Sequence, residues 1–167
     1  MPVLVDADGL TLVAGAPALV AQRRAPTLLT PHAGELARLL NADPADVASR
    51  RIEHARAAAR MFGCCVLLKG STTVIAAADD SPLLVNPTGT GWLAAAGTGD
   101  VLAGLAGALL AQGLDVREAA AAAAFLHGIS ARYAAGGAGP VPGGDAPIGA
   151  GDVIGSLPDA IRGVHEA

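Results

Sequence analysis

The segment Ala96-Gly97-Thr98-Gly99-Asp100 runs without a break into the small and apolar residues from Val101 to Ala111, with Gly113 as the stop. A Gly-rich loop that opens directly into a helix leaves the first amide groups unpaired and adds the positive end of the helix dipole at the same point. Anions bind at such a mouth, because glycines let the main chain approach a phosphate with no Cβ in the way. The terminal Gly-Lys-Ser/Thr of a Walker loop is missing, so the pattern is a different phosphate cradle. Asp100 has two readings at this place. Either it caps the helix and answers its dipole, or it accepts a proton from a hydroxyl that attacks the bound phosphate.

The rest of the chain reads as alternating strands and helices. Val3 to Val5 is a short apolar run ending in the polar Asp6-Ala-Asp-Gly-Leu10, as expected of a buried parallel strand and the loop beyond it. In open α/β sheets ligands sit at such strand ends. A helix is expected around Pro17 to Gln22 and a second strand at Thr27 to Thr30, which together give a βαβ rhythm. Thr30-Pro-His-Ala-Gly-Glu35 feeds a helix that stops near Asn41, Asp43-Pro44 starts another, and Arg50 to Met61 is a third that ends at Gly63. Cys64 to Leu68 reads as a buried strand delivering Lys69 to Thr73 to a turn, with Val74 to Ala77 returning beside it. Asp79 to Ser81 is expected as the turn before a strand at Leu83 to Val85. Asp115 and Glu118 fit a capping box for a long Ala-rich helix, Gly136 to Gly149 reads as a mobile loop, and Val153 to Ile161 as a terminal helix.

Composition narrows the function classes. Of 167 residues, 52% are apolar and 16% charged, which is material for a core and not a disordered chain. A formal charge of -4 leaves no basic face for a nucleic-acid polymer, whereas a single nucleotide needs only backbone amides and one or two cations. No apolar run is long enough to span a bilayer and no leader is evident, so a cytoplasmic location is expected. Cys64 and Cys65 are neighbours in an apolar run, which disfavours a disulfide between them and offers too few ligands for zinc.

Gly97-Thr-Gly-Asp-Val-Leu-Ala-Gly104 resembles the anion-hole signature of ribokinase-like enzymes. Together with Val5-Asp-Ala-Asp-Gly-Leu10, Thr30-Pro-His-Ala-Gly-Glu35, Leu68-Lys-Gly70 with Thr72-Thr-Val74, and Asn86-Pro-Thr-Gly89, the chain resembles the ADP- or ATP-dependent NAD(P)H-hydrate dehydratases. His32 and Asp100 favour that family over the vitamin kinases of the same superfamily, which commonly have Asn after Thr-Pro or Cys at the aspartate. The neighbouring alternatives are a small-molecule kinase that stops after phosphorylation, and a catalytically silent nucleotide-binding fragment.

The resemblance implies a three-layer α/β/α sandwich with a mainly parallel sheet, covered here as a single partial domain over residues 1–167 that lacks the family's N-terminal strands. It implies repair of the S-form of hydrated NADH or NADPH (NADHX and NADPHX), with ADP or ATP as phosphate donor and Mg²⁺ as cofactor. A homo-oligomer, and an epimerase acting on the same substrates, are the implied partners. Asp100 would be the catalytic base, and amides of Gly97, Thr98 and Gly99 the anion hole. Lys69, Gly70, Ser71, Thr72 and Thr73, with Gly99, would bind the nucleotide. His32 and Asp100 would contact the hydrate, and Glu35 would lie near metal and phosphate. Asp6 and Asp8 would touch substrate or metal, or else stabilise a turn, and His127 and Tyr133 are expected as packing or surface residues. Trp92 would either shield the site or fill an apolar notch. Ala96 stands where the family usually has Gly. The missing strands would leave the edge at Val3 unpaired and part of the hydrate pocket absent.

Overall fold

The computed structural model describes residues 1–79, 81–136 and 146–165. Five strands form one sheet in the order β1 (Val3–Val5), β2 (Thr27–Leu29), β3 (Cys65–Leu68), β4 (Thr73–Ala76), β5 (Leu84–Asn86). β1, β2 and β3 run parallel, and the β3–β4 and β4–β5 pairs are antiparallel. β1 ends the sheet, so its outer side carries no strand among the described residues.

Side chains alternate across the strands and build two cores. On one face, Leu29, Val66, Leu68, Val74 and Ala76 meet α1 (Asp8–Gly15), α2 (Ala18–Ala21), α3 (Ala33–Leu40), α4 (Pro44–Ser49) and α5 (Arg51–Phe62). On the other, Leu28, Cys65, Leu67 and Ile75 meet α6 (Thr98–Ala111) and α7 (Val116–Ala134). Ala119, Ala120, Ala123 and Ala124 are buried along α7, so small side chains bring that helix close to the sheet and to α6. α8 (Ala150–His165) packs on α7 through Val153, and Ser130 Oγ donates to the Val153 carbonyl at 2.5 Å. The result is the expected three-layer α/β/α sandwich.

Local signals explain most element ends. His32 caps α3, Asp43 caps α4 and Asp115 caps α7, each accepting from amides of the first turn. Asn41 and Gly63, both left-handed, end α3 and α5. Two expectations fail: Asp115 caps α7 without the return bond from Glu118 that a capping box needs, and the stretch after β1 is not all loop. The polar stretch after β1 is not a loop through Leu10, because α1 begins at Asp8. Asp8 lies in the first turn, where the helix dipole favours it, and Leu10 and Val13 are buried beneath. Gly9 makes the approach possible, since a Cβ there would stand 2.8 Å from Val5 Cγ1. The expected terminal helix extends at both ends, to Ala150 and His165, and residues 137–145 of the expected Gly/Pro-rich loop lie outside the described residues.

Burial decides the chemistry of the cysteine pair. It pushes the thiols of Cys64 and Cys65 from 9.0 up to about 12. Unfolded thiols ionise near 9.0, so the pair contributes fully to stability below that pH and progressively less as pH climbs from 9.0 to 12. At neutral pH the native protein should resist iodoacetamide at both positions and take up two labels once denatured. Rapid labelling of the native protein would contradict this burial.

Candidate functional site: a phosphate mouth beside a held lysine

The C-terminal ends of the three parallel strands lie at one edge of the sheet and deliver Asp6, the Pro31-His32 loop and Lys69 to it. Backbone bonds tie these ends together: the Thr30 amide donates to the Val5 carbonyl at 3.1 Å and the Lys69 amide to the Pro31 carbonyl at 2.8 Å. Lys69 Nζ lies 2.6 Å from Asp6 Oδ1 and 3.7 Å from Glu35 Oε2, with all three side chains largely shielded from solvent. The lysine is therefore not the solvated residue of an ordinary hairpin turn.

At the start of α6, Gly97 has a φ of 84°, a left-handed conformation suited to glycine. Thr98 is buried; its hydroxyl hydrogen-bonds the Leu93 and Ala95 carbonyls, and its amide donates to Ala95 at 3.4 Å. Among the described residues no acceptor pairs with the amides of Gly97, Gly99 or Asp100. The Asp100 side chain is in the first helical turn and exposed. A Cβ on Gly99 would stand 3.6 Å from Lys69 Nζ, so the ammonium group and the free amides converge at the same mouth. The Asp6 and Glu35 carboxylates balance the charge of the lysine, so what this mouth offers an anion is directed N–H donors on a protein whose net charge is negative.

A cavity of about 470 Å³ extends from that mouth. Its walls are His32, the β3–β4 turn at Lys69, Gly70, Ser71 and Thr73, the loop at Asn86 and Gly89 to Gly91, and the α6 residues Thr98, Gly99 and Leu102. Ala124, His127 and Gly128 of α7 close one side. Of the expected site residues, Gly97, Asp100, Thr72 and Glu35 are not in the wall, Gly97 and Asp100 flanking it at the start of α6. The Thr72 carbonyl instead accepts from Arg51 Nη2 at 3.1 Å, and Glu35 takes the His32 amide at 2.7 Å within a reciprocal cap in which His32 Nδ1 accepts from Gly34 and Glu35. This cap fixes the His32 ring over the start of α3, where the residue lines the cleft.

Two arginines absent from the expected set shape the walls. Arg51 Nη2 also donates to the Leu68 and Lys69 carbonyls, fixing the turn from below. Arg132 donates to the Thr88 and Gly89 carbonyls at 2.8 and 3.3 Å and pins the opposite loop to α7. The two walls touch closely at Gly89, where a Cβ would be 2.5 Å from the Ser71 carbonyl oxygen. Nothing in the local sequence around either arginine reports these long-range bonds. His127, expected as a packing or surface residue, is buried, lines the cavity, and has Nε2 without a hydrogen-bond partner. Burial holds its pKa below 6.5, with a backbone hydrogen bond at Thr98 acting in the other direction, so the ring is neutral at pH 7. Trp92 fills an apolar notch with Ala131, Ala135, Ile148 and Val153, outside the cavity wall, and Tyr133 is exposed.

The sandwich and the Gly97-led start of α6 define an α/β protein whose cavity opens at the C-terminal ends of its parallel strands. Residues 1–146 match the carbohydrate-kinase family model described as NAD(P)H-hydrate dehydratase, and the chain belongs to that family. It is 50% identical, over 96% of its length and 33% of the relative's, to the bifunctional NAD(P)H-hydrate repair enzyme Nnr of Mycobacterium leprae. It is 43% identical to the ADP-dependent (S)-NAD(P)H-hydrate dehydratase of Neisseria meningitidis serogroup B, over 78% of this chain and 44% of that one. The ADP/ATP-dependent NAD(P)H-hydrate dehydratase of Bacillus subtilis, co-crystallised with ATP and Mg²⁺, has a TM-score of 0.79 at 30% identity, covering 96% of this chain and 54% of that one. The chain thus spans between a third and just over half of these relatives' lengths. No described helix is long and apolar enough to cross a membrane.

Proposed function

We propose that residues 1–167 form the nucleotide-binding and phosphoryl-transfer part of an ADP- or ATP-dependent dehydratase that returns the S-form of NADHX or NADPHX to NADH or NADPH. The carrying observation is the convergence of Lys69 Nζ and the free amides of Gly97, Gly99 and Asp100 beside an exposed Asp100 carboxylate. A carboxylate so near a phosphate mouth repels the ligand unless the reaction uses it. In this reading Asp100 takes the proton as the hydrate's ring hydroxyl attacks the terminal phosphorus and the shorter nucleotide leaves. The ring nitrogen's lone pair then expels inorganic phosphate as the C–O bond breaks, and loss of a proton from the neighbouring ring carbon of the resulting iminium restores the reduced nicotinamide. The protein's share of the work is to position both reactants and stabilise the transferring charge.

The nucleotide follows the wall formed by Lys69, Gly70, Ser71 and Thr73, with Thr72 acting through the turn that its carbonyl helps to hold. His32 borders the hydrate side of the cleft. Mg²⁺ fits as an ion that arrives with the nucleotide, since no group of three His, Cys, Asp or Glu is assembled among the described residues and Mg²⁺ commonly uses one or two carboxylates plus phosphate oxygens. Glu35, whose carboxylate is engaged in the α3 cap and lies outside the wall, would be near the ion without being assigned as its ligand, and the ion would neutralise charge on those phosphate oxygens. ADP is the preferred donor by similarity to the Neisseria relative. The setting proposed is cytoplasmic, in a homo-oligomer working with the epimerase of the same repair.

Product analysis tests the assignment. Protein incubated with hydrate, ADP and Mg²⁺ should yield NADH and inorganic phosphate in equal amounts. A stable phosphorylated hydrate would make the protein a kinase, and no turnover would make this stretch a binding fragment.

A further inference from the structure

Lys69 reaches the α6 mouth on a long side chain whose free rotation would scatter its charge, so something must fix the ammonium group. Asp6 does so, from a separate strand end, at 2.6 Å. Glu35 Oε2, at 3.7 Å, contributes charge but lies beyond hydrogen-bonding distance. An ammonium group has three donors, so Asp6 occupies one and leaves two for an incoming ligand. Nζ lies close to the start of α6, since a Cβ built on Gly99 would stand 3.6 Å from it, an ordinary contact distance.

We infer that Asp6 is a positioning residue that aims Lys69 at the terminal phosphate of a nucleoside diphosphate, and that this pair discriminates the diphosphate from the monophosphate. The inference rests on the nucleotide reading above, with the terminal phosphate at the α6 mouth.

A purely structural ion pair accounts less well for the same geometry. The side chains of Asp6 and Lys69 are only 11% and 18% exposed, and ion pairs taken that far from water return little net stability. The backbone beside Asp6 also departs from ordinary geometry: Ala7 has φ 48° and ψ -124°, a conformation unfavourable for a residue with a Cβ. Stability would be served by relaxing this turn, whereas aiming a carboxylate at Lys69 requires holding it. Without Lys69, moreover, two carboxylates would face the phosphates directly. The lysine both cancels that repulsion and supplies donors, and it does so only at the position Asp6 imposes.

Titration calorimetry of the whole chain with ADP and with AMP, each with Mg²⁺, provides the test. Wild-type protein should bind ADP more tightly than AMP. Asp6→Ala and Lys69→Gln should each lower the ADP-to-AMP affinity ratio about tenfold, the worth of a charge-assisted hydrogen bond, with AMP affinity nearly unchanged. The double variant should fall no lower than Lys69→Gln alone, because Asp6 helps only through the lysine and without it merely opposes the phosphates. An unchanged ratio in Asp6→Ala, an equal loss for AMP, fully additive effects, or a wild-type protein with no preference for ADP would each overturn the inference. Should Asp6→Ala fail to fold, an unchanged ratio in Lys69→Gln decides against it. A chain that keeps the predicted ratios but never regenerates NADH would overturn the dehydratase reading alone.

Discussion

Asp100→Asn is expected to bind nucleotide at least as well as the wild type while losing roughly 10²- to 10⁴-fold in turnover of the hydrate, the usual worth of a positioned general base. The amide keeps the size of the acid, and Asp100 makes no capping hydrogen bond to α6, so neither fold nor mouth geometry should change. It removes the negative charge that opposes the phosphates, which is why affinity should hold or rise. Nucleotide binding and appearance of the reduced nicotinamide, followed on one preparation, separate the two effects. Wild-type turnover in this variant would reduce Asp100 to a partner of the α6 dipole.

Phe62→Ala should destabilise the protein by about 3–5 kcal/mol, the typical penalty for emptying a buried aromatic site. Phe62 is fully buried at the last position of α5, in the core formed with Val66, Leu68 and Val74. The left-handed Gly63 turns the chain from there into β3, whose end carries Lys69. The collapse of this corner is restrained on one side by the sheet and on the other by α5, so the cavity should persist. Urea denaturation monitored at Trp92 gives the measurement, and a loss below about 1 kcal/mol would mean that the site closes by local repacking.

Where the sequence spoke clearly, it did so through short-range chemistry. His32, Asp43, Asn41 and Gly63 mark helix ends because capping depends on neighbours only a few positions away. The mouth at Gly97 to Asp100 was visible for the same reason. The helix at Asp8 was hidden because Asp-Ala-Asp-Gly also spells a turn, and the contact that selects helix, Gly9 against Val5, depends on the strand's position in the sheet. The role of Arg51 was equally out of reach, since its guanidinium is defined by carbonyls 17 to 21 residues away. His127 looked like one more helical residue until α6 and the loop at Asn86 enclosed it. Family resemblance drew Lys69 into the site, but only the folded chain brings Asp6 to it, across 63 residues.

A crystal of this chain grown with ADP and Mg²⁺ addresses the central claim most directly. The terminal phosphate should lie against the amides of Gly97, Gly99 and Asp100, within hydrogen-bonding distance of Lys69 Nζ, and with the Asp100 carboxylate facing the open side of the phosphorus. Nucleotide bound elsewhere, or a phosphate seated away from the start of α6, would contradict it.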